Sequence, residues 1–204
     1  MRTKIKHIRK LYKEIPEIVE ELRAGKLIIM PTDTIYGFIA DAMNESSAER
    51  IFEVKQRDKD KKFLILVASI DDFVNYADNE NYKYYSELIK KIYKKPVTFV
   101  LKAKSGLPEH IVKEGNIAIR VPGKAYLREL SAGLGRPLIA PSANISGKKD
   151  IRFFFDIIKL FKNKVDYIYY KFFIMDLTPS TILDLTGNKP EIVRQGKYII
   201  GTEK

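Results

Sequence analysis

The chain has 204 residues, 45% of them hydrophobic and 31% charged, which is typical of one globular domain and excludes a wholly disordered chain. It contains no cysteine, no apolar run near the ~20 residues of a membrane span and no signal-peptide pattern. Disulfides and thiolate zinc sites are therefore excluded, and we expect a cytoplasmic protein without membrane contact. The net charge of +11 suits RNA or a phosphorylated substrate, although biased genomes and hot habitats also produce lysine-rich chains.

In chain order, helical and strand patterns alternate, which favours a single α/β domain over residues 1–204 with its core at about 15–198. Helices are predicted over Pro16–Ala24, from a capping box at Ser46 and Glu49, and over Tyr85–Ile92, Tyr126–Ala132 and Ile151–Phe161. Strands are predicted at Leu27–Met30, Phe63–Val67, Thr98–Leu101, Ile117–Val121, Pro137–Ala140, Val165–Tyr170, Thr181–Leu185 and Glu191–Arg194.

Three segments break these patterns with polar residues at strand or helix ends, and the ends of strands in α/β sheets tend to bind ligands. The first, Pro-Thr-Asp-Thr-Ile-Tyr-Gly at 31–37, crowds three hydroxyls into a turn that local hydrogen bonding would also explain. The second is Lys55-Gln56-Arg57, followed by Lys61 and Lys62. These cations form either a solvated helix end or a clamp for polyphosphate.

The third segment, Ala-Pro-Ser-Ala-Asn-Ile-Ser-Gly at 140–147, favours function. Hydroxyls, an amide and free backbone N–H groups can hold a phosphate or a base, and a plain surface turn rarely needs so many. Arg120 lies in an otherwise apolar strand and needs an anionic partner, either structural or from a substrate. The pieces at 180–184 and 194–196 add hydroxyls and a cation, which caps and turns would also explain.

Together, in this order, these segments resemble the YrdC/Sua5/TsaC family in its short, single-domain form. The matching pieces are Pro-Thr-Asp-Thr-Ile-Tyr-Gly at 31–37, Lys-Gln-Arg at 55–57, Arg-Val-Pro at 120–122, Ala-Pro-Ser-Ala-Asn-Ile-Ser-Gly at 140–147, Ser-Thr-Ile-Leu-Asp at 180–184 and Arg-Gln-Gly at 194–196. The chain departs from the family pattern at Asp58 and Lys62, where proline is usual, and at 148–150, where Lys-Lys-Asp replaces small and proline-rich residues.

The resemblance implies a twisted, open, mostly mixed α/β sheet flanked by helices, with a basic concave face. It also implies a synthase that makes threonylcarbamoyl-AMP and pyrophosphate from L-threonine, bicarbonate and ATP, with Mg²⁺ arriving on the ATP. A downstream transferase complex would pass the threonylcarbamoyl group to the adenosine next to the tRNA anticodon. The family's concave face is also associated with double-stranded RNA, so RNA or tRNA is a further expected partner.

The resemblance also assigns roles to individual residues. Those expected to bind threonine are Thr34, Arg120, Ala140 and Ser180, with Thr32 and Tyr36 as further contacts. Those expected to bind ATP are Arg57, Lys61, Asn116, Ser142, Asn144 and Arg194. Lys55 and Arg57 are the expected catalytic residues, and no protein ligand to a metal is expected. The chain shows no nucleophile, histidine base or carboxylate pair, which suits a reaction that depends on positioning and charge neutralisation.

Three alternatives stay open. The first is a carbamoyl-adenylate enzyme related to the large hydrogenase-maturation protein, which has added domains and zinc-binding cysteines. The second is a module that binds double-stranded RNA or tRNA without catalysis, and the third is an α/β domain that has lost activity. Arg120 with Ser180 separates the synthase from a pure RNA binder, because an RNA binder needs no threonine pocket.

Overall fold

A mixed β-sheet forms the centre of the molecule. The structure is a computed structural model that describes residues 2–174 and 178–201. Within these residues the strands are β1 (Lys4–His7), β2 (Ile28–Pro31), β3 (Tyr36–Asp41), β4 (Ile65–Leu66), β5 (Val97–Lys102), β6 (Val112–Lys113), β7 (Asn116–Arg120), β8 (Leu138–Ile139), β9 (Tyr167–Tyr170), β10 (Thr181–Asp184) and β11 (Glu191–Arg194). Their order is β1-β9-β2-β3-β8-β4-β7-β5-β10-β11, and β6 pairs with β7.

Helices cover both faces of this sheet. They are α1 (Leu11–Arg23), α2 (Glu45–Lys55), α3 (Phe73–Tyr76), α4 (Asn79–Ile92), α5 (Ala125–Leu134) and α6 (Phe154–Phe161). Successive strand residues face opposite sides, so Ile28 packs with α1 and α5, while Ile29 packs in the larger core with α2, α4 and α6. The sheet contains both parallel and antiparallel pairs, and the predicted mixed α/β architecture is confirmed. No described helix is long and apolar enough to cross a membrane.

The helix starts differ from the prediction: α4 begins at Asn79 rather than Tyr85, and α6 begins at Phe154 rather than Ile151. Helix α1 begins at Leu11 rather than Pro16, because the fully buried Leu11 extends its apolar stripe by more than a turn. The capping box predicted at Ser46 and Glu49 is wrong. Helix α2 begins at Glu45, and the side chain of Asn44 caps it by accepting the backbone N–H of Ser47 at 2.9 Å.

The sequence prediction omits β1, β3 and β6. The most important omission is β3, whose six residues are all buried and therefore show no alternation of apolar and polar side chains. Tyr36 and Gly37 belong to this strand and not to the preceding turn. The strand pairs with β2 on one side and β8 on the other, which brings the segments at 31–37 and 140–147 together. An isolated bridge between Gly37 and Ser142 continues that contact.

Candidate active site

A cavity of about 610 Å³ lies on one face of the sheet, across β5, β7 and β10. In β7, Ile119 packs in the larger core, whereas Ala118 and Arg120 line the cavity. The predicted site residues that line it are Thr32, Thr34, Tyr36, Arg57, Lys61, Asn116, Arg120, Ala140, Ser142, Ser180 and Arg194. Lys55 and Asn144 are buried and do not line it. Segments far apart in the chain therefore meet around one space.

Arg120 is the most enclosed cation of the cavity. Its side chain is only 6% exposed, and Nη2 donates to Asp33 Oδ2, which also accepts the backbone N–H of Gly123 at 3.1 Å. Burial lowers the pKa of Arg120, and the charge of Asp33 opposes that shift. Nε of Arg120 is buried and has no hydrogen-bond partner in the part of the chain that is described. A guanidinium has five N–H donors, so this arginine keeps donors for an anionic ligand.

Ser180 lies at the same end of the cavity and is held there by Thr98 and Arg194. Its hydroxyl lies 2.9 Å from Thr98 Oγ1, and Arg194 Nη2 donates to its carbonyl at 2.8 Å. The backbone at Gly196 passes so close to Pro179 and Ser180 that an added Cβ would overlap them. The Arg-Gln-Gly piece therefore has a structural basis, since only glycine allows Arg194 to reach Ser180 at this distance. Arg120, Asp33, Thr98 and Ser180 are called the Arg120 end below.

The turn before β3 is largely satisfied by its own hydrogen bonds. Thr32 Oγ1 donates to the carbonyl of Ile35 at 2.6 Å and accepts the backbone N–H of Thr34 at 3.2 Å. Tyr36 is 1% exposed, and its hydroxyl donates to the Lys171 carbonyl, while burial raises its pKa to about 12. Thr32 thus supports the turn and Tyr36 anchors β3 to Lys171, and their contact with threonine stays a prediction. Thr34 lines the cavity beside them.

Arg57 and Lys61 form the opposite, more open end, called the Arg57 end below. Arg57 Nε donates to the Lys61 carbonyl at 2.7 Å, and Nη2 donates to the Lys62 carbonyl at 3.1 Å. Its guanidinium also lies 5.3 Å from the ring centre of Phe63. Arg57 thereby holds the 57–62 loop at the cavity, while the side chain of Lys61 is exposed to solvent. This cation pair remains accessible to a hydrated ligand.

Lys55 lies beneath the 142–144 turn. Its ammonium donates to the carbonyls of Ser142 and Asn144 and, at 3.1 Å, to Asn144 Oδ1. Burial, together with the nearby charge of Arg57, lowers its pKa to about 7, and the charge of Asp150 opposes that shift. Three acceptors match the three N–H donors of an ammonium, so the lysine fixes this turn best in its charged form. The geometry favours a positioning role, and direct participation of Lys55 in catalysis stays a prediction.

Sequence reasoning did not single out Asp33, Thr98 or Asp150. Asp33 stands inside the 31–37 motif, but its pairing with Arg120 joins residues 87 positions apart. Asp150 lines the cavity, burial raises its pKa, and Lys55 and Arg194 oppose that shift. Within the described residues, no group of three or more histidine or acidic side chains could hold a metal ion. Because Mg²⁺ on a triphosphate takes most ligands from phosphate and water, the Mg²⁺ prediction stays open.

An open mixed α/β sheet with hydroxyls and cations around one cavity defines a protein that binds small anionic ligands. A family model of the Sua5/YciO/YrdC type, described as telomere recombination, matches residues 20–196. The chain belongs to this family.

Individual relatives agree with this assignment. A Methanocaldococcus jannaschii protein is 35% identical over 181 residues, which are 87% of this chain and 83% of that protein. A Pyrococcus abyssi protein named threonylcarbamoyl-AMP synthase is 33% identical over 86% of this chain. The chain spans about half, 52%, of that relative's length. The crystal structure of P. abyssi Sua5 complexed with L-threonine has a TM-score of 0.83 and 30% identity, over 96% of this chain and 58% of that one.

Proposed function

We propose that this chain makes threonylcarbamoyl-AMP and pyrophosphate from L-threonine, bicarbonate and ATP. The observation that carries the proposal is the single cavity with two unlike ends, a buried Arg120 end and an open Arg57 end. The Pyrococcus relative is named for this activity, and the solved Sua5 structure contains L-threonine. A protein that only binds RNA has no use for an enclosed arginine that shares a cavity with several hydroxyls.

Threonine binds in the Arg120 end. Its carboxylate takes the remaining donors of Arg120, because a guanidinium and a carboxylate match in shape and charge. The hydroxyls of Thr34, Thr98 and Ser180 are within the same cavity and offer partners to the polar groups of the substrate. The neutral amine then attacks CO₂ from bicarbonate, forms the C–N bond of a carbamate and loses one proton.

ATP binds across the Arg57 end. A carbamate oxygen attacks the α-phosphorus, the bond to the β-phosphate oxygen breaks, and pyrophosphate leaves. Arg57, Lys61 and Arg194 neutralise charge on the phosphates, while Asn116 and the 142–144 turn position the nucleotide. Lys55 contributes by holding that turn. Mg²⁺ enters as part of the MgATP substrate.

The product would pass to a transferase complex that modifies the adenosine beside the tRNA anticodon. This step places the proposed reaction in the cytoplasm, with ATP, threonine and tRNA. The cations that line the cavity offer phosphate contacts for RNA as well, and such binding would weaken steeply with salt. RNA binding at that face is compatible with catalysis.

The direct test measures pyrophosphate release from MgATP, with threonine and bicarbonate each present or omitted. We expect release that requires both, since the carbamate must form before it can attack the phosphate. Pyrophosphate release that does not depend on threonine would instead indicate a simple nucleotide hydrolase. Absence of release, together with salt-sensitive RNA binding, would favour the RNA-binding module without catalysis.

A further inference from the structure

A shelf of exposed aromatic rings lies outside the catalytic cavity. The aromatic shelf consists of Phe153, Phe155, Phe172 and Phe173, which are 51%, 71%, 59% and 37% exposed. Phe153 and Phe173 contact each other with ring centres 5.2 Å apart. Phe155 and Phe172 both contact the half-buried Phe154, at 5.5 and 6.2 Å. These exposed rings therefore form one surface, and a patch of this kind usually marks an interaction site.

A second cavity, of about 830 Å³, adjoins the shelf through Phe153. This basic groove is lined by Lys149, Arg152 and Lys159, all exposed and none in an ion pair among the residues that are described. Two carboxylates also line it. Asp156 is exposed, but Asp150 is half-buried and close to Lys55 and Arg194, on the side of the catalytic cavity. Lys171, next to Phe172, adds another exposed cation. The solvent side of the groove is thus positively charged.

We propose that the basic groove and the aromatic shelf together bind single-stranded RNA, with phosphates in the groove and unpaired bases stacked on the rings. Aromatic rings beside a basic channel are the common device of single-strand binding, because every base has a face that can stack. A duplex hides those faces, so the shelf discriminates against it. Lysine is depleted in the cores of protein interfaces, which makes a protein occupant a poorer fit to this mixed surface.

The site is separate from the proposed catalytic residues but shares a wall with them. The 148–153 segment carries Asp150 into the catalytic cavity and Lys149 and Arg152 into the groove. A backbone hydrogen bond from Ile174 to Arg152, and the bridge between Phe153 and Phe173, hold this segment against the shelf. Exposed rings and cations can therefore be changed while the catalytic side chains stay in place.

The test uses fluorescence anisotropy of a labelled RNA of about twelve nucleotides without self-complementarity, and the matching duplex. We expect the single strand to bind the shelf between about 50 and 200 mM salt, and the ring variants Phe155→Ala and Phe172→Ala to leave binding of the duplex unchanged. Each ring variant should weaken single-strand binding by about fivefold or more. The slope of the logarithm of the binding constant against the logarithm of the salt concentration should not change in these variants. The triple variant Lys149→Gln, Arg152→Gln, Lys159→Gln should flatten the log–log salt slope by about two.

The matched control removes two exposed cations that do not line the basic groove. Lys10→Gln with Lys13→Gln changes exposed cations near α1 and should leave the aromatic contribution intact. All these variants should retain threonine-dependent pyrophosphate release. A loss of RNA binding at the shelf is therefore distinguishable from a loss of the proposed synthase activity. No effect of the ring variants on single-strand binding, or an equal effect on duplex binding, would overturn the proposal. So would a concentration-dependent dimer that Phe155→Ala abolishes, because a second copy of the chain would then be the occupant.

Discussion

The two ends of the catalytic cavity hold their cations in different ways. Arg120 is almost fully buried and paired with the carboxylate of Asp33, whereas Arg57 bonds to the backbone carbonyls of Lys61 and Lys62. The Arg120 end is therefore preorganised around one fixed guanidinium, which suits a small zwitterion that must be selected by fit. The Arg57 end keeps its charge near solvent, which suits a flexible and hydrated polyphosphate.

The strongest way to break this comparison is Arg120→Ala. We expect kcat/KM for threonine to fall by at least about 30-fold, because losing one partner of a buried charge pair costs about 2–5 kcal/mol. Nucleotide binding, measured by calorimetry, should stay largely intact. Arg9→Ala, an exposed arginine outside the cavity, is the control. Equal loss of threonine binding and nucleotide binding would show that Arg120 is not specific to the threonine-binding end of the cavity.

The architecture of the Arg120 end is tested by Gly196→Ala. The new methyl group would overlap the backbone of Pro179 and Ser180, so we expect a loss of about 1–3 kcal/mol in unfolding free energy. A higher KM for threonine should accompany it, because Ser180 and Arg194 move apart. Gly187→Ala has open space around the new methyl group and should be nearly neutral in urea denaturation. Similar behaviour of both variants would contradict the close approach.

The buried Lys55 should make the unfolding free energy of the protein depend on pH. Burial lowers the folded pKa of Lys55 to about 7 from an ordinary 10.5, so between these values the folded state binds fewer protons than the unfolded state. The unfolding free energy should therefore rise with pH across this window, by at most about 1.4 kcal/mol per unit. Lys55→Met should lack this rise in chemical denaturation at pH 7, 8 and 9. Parallel curves for the two proteins would contradict the assignment.

The smallest expected effect is that of Lys61→Ala at the Arg57 end. An exposed charge is worth about 0–1 kcal/mol, so KM for ATP should rise by about fivefold or less. The rise should shrink with added salt, because exposed charges are screened. KM for threonine should not change. Lys83→Ala, an exposed lysine on α4, is the control, and a salt-independent effect would place Lys61 deeper in the site than its exposure indicates.

Much of the fold could be predicted because helical and strand periodicities are local. Strand β11 has the predicted bounds, and the predicted stripe of α4 contains the buried Tyr85, Ile89 and Ile92. Strand β3 escaped prediction since burial on both faces removes the alternation that marks a strand. The cap of α2 was misplaced because Ser46 and Asn44 are both good capping residues, and only the backbone geometry decides between them.

The sequence by itself determined which residue types stand at the strand ends, and their order identified the family and most of the cavity lining. Tertiary structure decided which of them line the cavity and which are buried behind the lining residues and hold them in position. Lys55 and Asn144 share a motif with lining residues, yet they are buried and bonded to each other. Asp33 reached Arg120 across 87 positions of sequence. Such contacts depend on how distant strands pair, and no local pattern of side chains encodes that pairing.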